Sequence, residues 1–273
     1  MLLSNAMLLL LLFLLSILNG IFGSFIVWNN IVNYFDNFTH SAIFSVVIGH
    51  VFHLNEFYTL IVFSSIFSLL LCICISLKIK LNNNLLTIVG SAFIGFAALF
   101  NNTCNDHENH NHEHFEDGML SLFLGNNLNQ LKNLNINNYL ILSIILLLTS
   151  AYYYKNWLKM VLNNQLIPMI KKDYLIYFLF LISVGLFSIL AVKVNGVLLA
   201  IGTSILPVFI TKFFAKTPHQ MIIYSIIFNS IITIFSFSIC NKFNINYNGF
   251  VITLEFLILI FLNFKYSFYE KQA

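Results

Sequence analysis

Apolar residues gather in nine runs, at 7–32, 36–57, 58–77, 85–100, 138–154, 173–192, 196–215, 221–240 and 249–266. A helix needs about 20 residues to cross the hydrocarbon core of a bilayer, and most of the runs approach that length. The second qualifies when its helix begins near Asp36, and the fourth and fifth are short. The pattern predicts an all-α integral membrane protein, a polytopic bundle of eight or nine transmembrane helices forming one domain over 1–273. The first run continues from Met7 through Trp28 with neither a basic leader nor an Ala-x-Ala-like site, so it reads as an uncleaved span.

The polar breaks orient the bundle. With the N-terminus outside and nine spans, the inner loops and tail hold Lys78, Lys80, Lys155, Lys159, Lys171, Lys172, Lys212, Lys216, Lys265 and Lys271, against Lys132, Lys193 and Lys242 outside. Ten against three is a positive-inside bias. Two connections exceed a simple turn. Segment 101–137 falls outside, with a His-rich loop at 101–118 and then Met119–Gly125, too short to span and suited to a re-entrant or interfacial helix. Segment 155–172 falls inside. Its Leu158, Val161, Leu162, Leu166 and Ile170 are spaced like one face of an amphipathic helix that Pro168 would bend or end.

Composition strengthens the membrane reading. Of 273 residues 59% are hydrophobic and 8% charged, with a mean hydropathy of +0.86, whereas a soluble domain carries roughly 25% charged residues. Every basic residue is Lys, and Asn, Ile and Phe abound, as in an AT-rich genome, so the surplus Asn carries little information. A net charge of +3 without a basic stripe gives no reason to expect a nucleic-acid partner. Cys72, Cys74, Cys104 and Cys240 lie mostly in apolar runs and do not form a disulfide framework.

Three polar constellations stand out. Asp36 and His40 are four residues apart, a spacing that stacks both side chains on one helix face. A carboxylate and an imidazole suit a borderline divalent metal such as zinc, and ionisable groups beside or within spans are candidate functional sites. The alternative is a capped helix start with a locally bonded histidine. In the outer loop, His107, His110, His112 and His114 alternate with Asp106, Glu108, Glu113, Glu116 and Asp117. Such tracts read as loose metal capture, or as a solvated loop. His50, His53 and Glu56, at successive i+3 positions near the outer end of the second helix, would line an outer mouth or simply occupy the headgroup region. Glu255 lies alone in the last run, as a pathway group or an interior residue. No Gly-rich phosphate loop, nucleophile elbow or His-Glu-x-x-His motif occurs, so any ATP hydrolysis belongs to another chain.

Several stretches resemble the bacterial zinc/manganese ABC-importer permeases. They are Gly23-Ser-Phe-Ile-Val-Trp28, Tyr34-Phe-Asp36, Thr39-His40-Ser-Ala42, Leu122-Phe-Leu-Gly125, Val194-Asn-Gly196-Val-Leu-Leu-Ala200, Ile205-Leu-Pro207 and Lys216-Thr-Pro-His-Gln220. They follow in the family's order and spacing from about residue 20 to 264. The resemblance implies a homodimeric permease of the bacterial cytoplasmic (inner) membrane. It would work with a cytoplasmic ATPase subunit and an extracytoplasmic metal-binding protein. Asp36 and His40 map onto its metal-pathway residues. Segment 155–172, with Lys155, Lys159, Leu162, Leu166, Lys171 and Lys172, maps onto the region that meets the ATPase. The chain departs from the pattern at Phe35, where the family has Gly; at Ile43-Phe-Ser45, in place of a Gly-containing turn; and at Ile170-Lys171, in place of Asp-Gly.

The implied function is import of Zn²⁺ as transported substrate, with no permanently bound cofactor and no enzymatic activity in this chain. Import of Mn²⁺ or Fe²⁺ by the same architecture is the alternative within the class. The His-rich loop favours zinc, because manganese prefers oxygen ligands. A self-sufficient zinc carrier would need ligands on two or more helices. An intramembrane metalloprotease would need a further zinc motif and a general base.

Overall fold

The computed structural model describes residues 2–77, 82–104, 123, 125, 128, 136–162, 171–243 and 245–270. Nine helices lie among them: α1 (Leu2–Trp28), α2 (Val32–Val51), α3 (Glu56–Ser76), α4 (Asn83–Cys104), α5 (Ile136–Leu162), α6 (Lys171–Asn195), α7 (Val197–Lys212), α8 (Pro218–Phe243) and α9 (Tyr247–Glu270). No strand occurs among the described residues. That is what a bilayer demands, since a helix satisfies its own backbone polar groups. Each apolar run corresponds to one helix. Six helices are long and apolar enough to cross a membrane: α1, α3, α5, α6, α8 and α9. The apolar stretch Asn83–Leu99 of α4 and helix α7 are shorter. Helix α2, which carries Asp36, His40 and His50, is not among the six.

Polar residues at the turns set where the helices begin. Asn55 caps α3, its Oδ1 accepting from the Phe57 N–H at 3.0 Å. Pro218 opens α8, where its missing N–H costs nothing. Thr217 Oγ1 accepts from Gln220 N–H at 3.3 Å, and the Gln220 side chain accepts in turn from Lys216 N–H at 3.1 Å, a close variant of the capping box. Asn246 Oδ1 accepts from the N–H groups of Asn248 and Gly249 at the start of α9. Asn30, at φ 53°, ends α1: its own N–H bonds Val27 O and the Ile31 N–H bonds Ile26 O, the pairing of a Schellman motif. The Asn residues therefore do carry structural information at these turns.

Helices α1 and α6 form the buried centre. Helix α1 packs on α8, α5 and α7, while α6 packs on α3, α5, α7 and α2. Buried serines and threonines satisfy their hydroxyls on the preceding turn, as Ser24 does on Gly20 O, Ser45 on Ala42 O and Ser188 on Gly185 O. Others tie helices together. Ser16 meets Ser230 at 3.1 Å, Thr211 meets Ser225 at 2.7 Å, and Asn248 Nδ2 donates to Val194 O at 2.8 Å. Helix ends pair as alternating up-and-down helices require. Glu56 at the start of α3 pairs with Lys193 at the end of α6. Tyr154 Oη lies 2.6 Å from His219 Nδ1, joining α5 to α8 at the opposite end.

One expectation needs correction. The second helix begins at Val32 and stops at Val51, not 36–57. Its early start buries Phe35 at 0% exposure in the bundle. Its early stop is a second Schellman motif: His53 adopts φ 51°, its N–H bonds His50 O, and the Leu54 N–H bonds Gly49 O. The expected amphipathic helix over 155–172 falls in large part outside the described residues. Residues 155–162 extend α5, residues 171–172 begin α6, and 163–170, which include Leu166, lie outside the described residues.

The tightest crossing is α1 on α7. A methyl group on Gly23 would overlap the Ser204 carbonyl oxygen and lie 3.1 Å from Val208 Cγ2, whereas one on Gly95 of α4 meets nothing within 4 Å. Gly23→Ala is therefore expected to destabilise the chain by about 1–3 kcal/mol through overpacking. Gly95→Ala should be neutral or slightly stabilising, because alanine is the better helix former. Thermal melts of the two variants in one detergent check this.

Candidate functional site

Asp36 and His40 lie in the first half of α2, on its fifth and ninth residues. The i,i+4 spacing brings His40 Nε2 to 3.2 Å from Asp36 Oδ1, with side-chain exposures of 18% and 36% respectively. The first turns are well anchored. Asn37 Nδ2 donates to Asn33 O at 2.7 Å and Thr39 Oγ1 to Asp36 O at 2.7 Å. Phe35 and Phe38 on the same turns are buried, which fixes the helix rotation and turns His40 toward α4.

Helix α4 closes over His40 and Asn37 at a glycine. A methyl group on Gly90 would lie 3.0 Å from His40 Cδ2 and 3.2 Å from Asn37 Oδ1. Both His40 Nδ1 and Asn37 Oδ1 are buried without a hydrogen-bond partner. Polar atoms left so are rare in folded proteins. The α2 face thus offers a carboxylate, an imidazole and an orphaned amide oxygen within five residues. Neither Asn37 nor Gly90 was identifiable from the sequence. The one signal lay in spacing, since Asn37 adjoins Asp36.

The pair has the geometry of two metal ligands. Donors at about 2.0–2.2 Å from a tetrahedral zinc ion lie about 3.3 Å from one another, close to the separation observed. Two protein ligands do not complete a site. Among the described residues no three His, Cys, Asp or Glu side chains come together to hold a metal.

The other predicted positions fare differently. His50, His53 and Glu56 do not form a helical stripe, because α2 ends between His50 and His53. His53 is an exposed turn residue, and Glu56 is engaged by Lys193, whose side chain is buried. His107, His110, His112 and His114 lie outside the described residues. Lys155, Lys159 and Leu162 are exposed at the end of α5. Lys171 and Lys172 open α6, and their side chains lie outside the described residues. Glu255 is fully buried on α9, with neither carboxylate oxygen hydrogen-bonded.

Comparison with known proteins gives a consistent family. The profile of the ABC 3 transport family matches residues 2–266. A protein named high-affinity zinc uptake system membrane protein ZnuB, from Buchnera aphidicola subsp. Acyrthosiphon pisum, is 24% identical over 257 residues, covering 94% of this chain and 95% of the relative. Its namesake from Buchnera aphidicola subsp. Baizongia pistaciae is 20% identical, covering 92% and 94%. Among solved structures, PsaBC from Streptococcus pneumoniae in complex with Fab superposes with a TM-score of 0.70 at 18% identity, covering 93% of this chain and 88% of that one. That similarity establishes the fold.

The Glu56–Lys193 pair gives a test of the end of the bundle where α3 begins and α6 finishes. Its lysine is buried and its glutamate half-exposed, so removing either partner has unequal consequences. Glu56→Gln weakens the compensation of a buried ammonium and is expected to cost about 1–3 kcal/mol. Lys193→Met leaves a carboxylate that water can reach, and should cost less. Denaturation midpoints of the two variants measure the asymmetry.

Proposed function

The chain belongs to the ABC 3 transport family, and on that footing we propose that it is the membrane permease subunit of an importer of Zn²⁺ in a bacterial cytoplasmic membrane. One observation carries the metal reading: His40 Nε2 and Asp36 Oδ1 stand 3.2 Å apart on α2, the edge length of a tetrahedral zinc site. The naming of two relatives of nearly full coverage as zinc uptake proteins supports the same ion. An imidazole nitrogen in the pair favours zinc over manganese, whose ligands are mostly oxygen.

In this reading the ion is cargo, and an incomplete ligand set is an advantage. A transport site must bind the ion weakly enough to release it. Two protein ligands leave room for water, or for the same pair from a second copy of the chain across a two-fold axis. With the N-terminus outside, α2 runs outward, so Asp36 and His40 stand about 6 and 12 Å from its inner end at about 1.5 Å per residue. The ion would reach them from the outer face, where the His-rich loop 101–118 captures it from a metal-binding protein. Exposed Lys155, Lys159 and Leu162, at the inner end of α5, belong with Leu166, Lys171 and Lys172 to the surface that meets a cytoplasmic ATPase subunit, the source of energy.

The test is ⁶⁵Zn uptake by cells co-expressing the chain with its ATPase and binding-protein partners. Asp36→Ala and His40→Ala are each expected to lower uptake at least tenfold at unchanged membrane abundance. Gly90→Val, which drives a branched side chain into the His40 ring, should lower it severalfold. Deleting 106–117 should weaken uptake only at low zinc. Uptake that survives both alanine substitutions removes the pathway assignment. Transport of Mn²⁺ or Fe²⁺ in place of Zn²⁺ overturns the metal while keeping the architecture.

A further inference from the structure

A column of aromatic rings connects the inner end of α5 to the turn that carries Asp36. Trp157 of α5 is 1% exposed, and its ring centroid lies 5.9 Å from that of Phe22 on α1. Phe22 stacks on Phe187 of α6 at 5.0 Å with 15° between the ring planes. Phe187 in turn stacks on Phe35 of α2 at 5.5 Å and 17°. The three phenylalanines are fully buried. Phe187 is thus sandwiched between two near-parallel rings from two other helices, and Phe35 is bonded directly to Asp36. At the far end, Phe25 and Phe180 meet Trp157 edge-on at 5.9 and 5.3 Å. The indole Nε1 is buried with no hydrogen-bond partner, so packing alone holds this ring.

From this geometry we infer that Phe22, Phe187 and Phe35 are positioning residues, which pass displacements of the α5 inner end to the Asp36/His40 pair and back. The inference rests on the proposed role of that pair as a zinc site. Close-packed interiors do not compress, so a displaced ring must move its neighbour or open a void. Offset-stacked rings resist separation by about 0.5–1.5 kcal/mol per pair beyond their buried area. Phe35 shares its helical turn with Asp36, so a shift of its ring turns or tilts the backbone that carries the carboxylate. By linkage, an ion that binds one arrangement of the pair better than another must bias Trp157 at the other end.

The chain has only two tryptophans, Trp28 and Trp157, which makes the coupling measurable. In a Trp28→Phe background, the full-length chain is placed in lipid nanodiscs and titrated with Zn²⁺ alone, which is a closed-shell d¹⁰ ion. Trp157 emission and ⁶⁵Zn binding are read on the same samples. The inference expects a saturable emission change with the midpoint of zinc binding. Phe187→Leu and Phe22→Leu should each reduce its amplitude at least fivefold while zinc affinity stays within threefold, which also shows that these variants fold. Phe44→Leu, which removes a ring packed on Phe63 and Phe93 outside the column, should keep the full amplitude. Zinc binding with silent Trp157 emission, or full responses in both column variants, overturns the inference and leaves the proposed function standing. No zinc binding by the parent, or binding unaffected by Asp36→Ala, overturns the zinc site and the inference together.

Discussion

The contact on which the bundle depends is the crossing of α1 over α7 at Gly23. There a backbone carbonyl, that of Ser204, occupies the space a side chain would fill. Apolar helices gain nothing from burying one another in lipid, so association rests on close packing and on hydrogen bonds between small polar side chains. The α1 interfaces show both. Gly20 faces the backbone of Ile226, Ser204 Oγ donates to Asn19 Oδ1 at 3.3 Å, and Asn229 Nδ2 donates to Ser16 O at 3.3 Å. Helix α1 becomes a fixed post, and Phe22 and Phe25 are held on its C-terminal half in fully buried positions.

With α1 and α6 fixed, α2 can be as polar as it is. A helix bearing Asn33, Asp36, Asn37, His40 and several hydroxyls is costly to expose to hydrocarbon. Here α3, α4 and α6 surround much of it, and its serines return their protons to their own backbone. What remains unsatisfied is concentrated at one place: His40 Nδ1 and Asn37 Oδ1, under Gly90. The carboxylate beside them is the most exposed member of the group. The arrangement is one of incomplete satisfaction beside a part-exposed carboxylate, which suits the proposed passage of an ion that must arrive and depart.

Much of this was legible in the sequence, because membrane helices obey length and hydropathy directly. The nine runs became nine helices among the described residues, and the i,i+4 spacing of Asp36 and His40 became a contact. What could not be read depends on contacts distant along the chain or on left-handed residues. His53 looked like a helical position until the Schellman pairing with Gly49 and His50 took it out of register with Glu56. The partner of Glu56 was Lys193, 137 residues away. Gly90 carries no local signal at all, since a glycine in an apolar run reads as tolerated until the opposite helix is in place. The abundant asparagines were set aside as compositional bias. Asn30, Asn55 and Asn246 nonetheless end or start helices, because their left-handed tolerance and short acceptor side chains serve there whatever caused their abundance.

Phe35 illustrates how the residue before a candidate ligand shapes its surroundings. A glycine before Asp36 would leave the first turn of α2 loosely held and let its backbone approach α6 closely. A phenylalanine there demands a cavity of its own, and the stacked face of Phe187 supplies one wall of it. The cost is rigidity at the turn that carries the carboxylate, since Phe35 cannot change rotamer within a full core. The gain is that the backbone of Asp36 moves only with the ring beside it, so its 3.2 Å spacing from His40 is tied to the packing of the core. If the pair is the zinc site proposed for it, ligands already at this spacing lose less entropy on binding. In the proposed zinc site, affinity would be set by how many ligands the protein withholds, and withholding two of four would keep a preorganised site from becoming a trap.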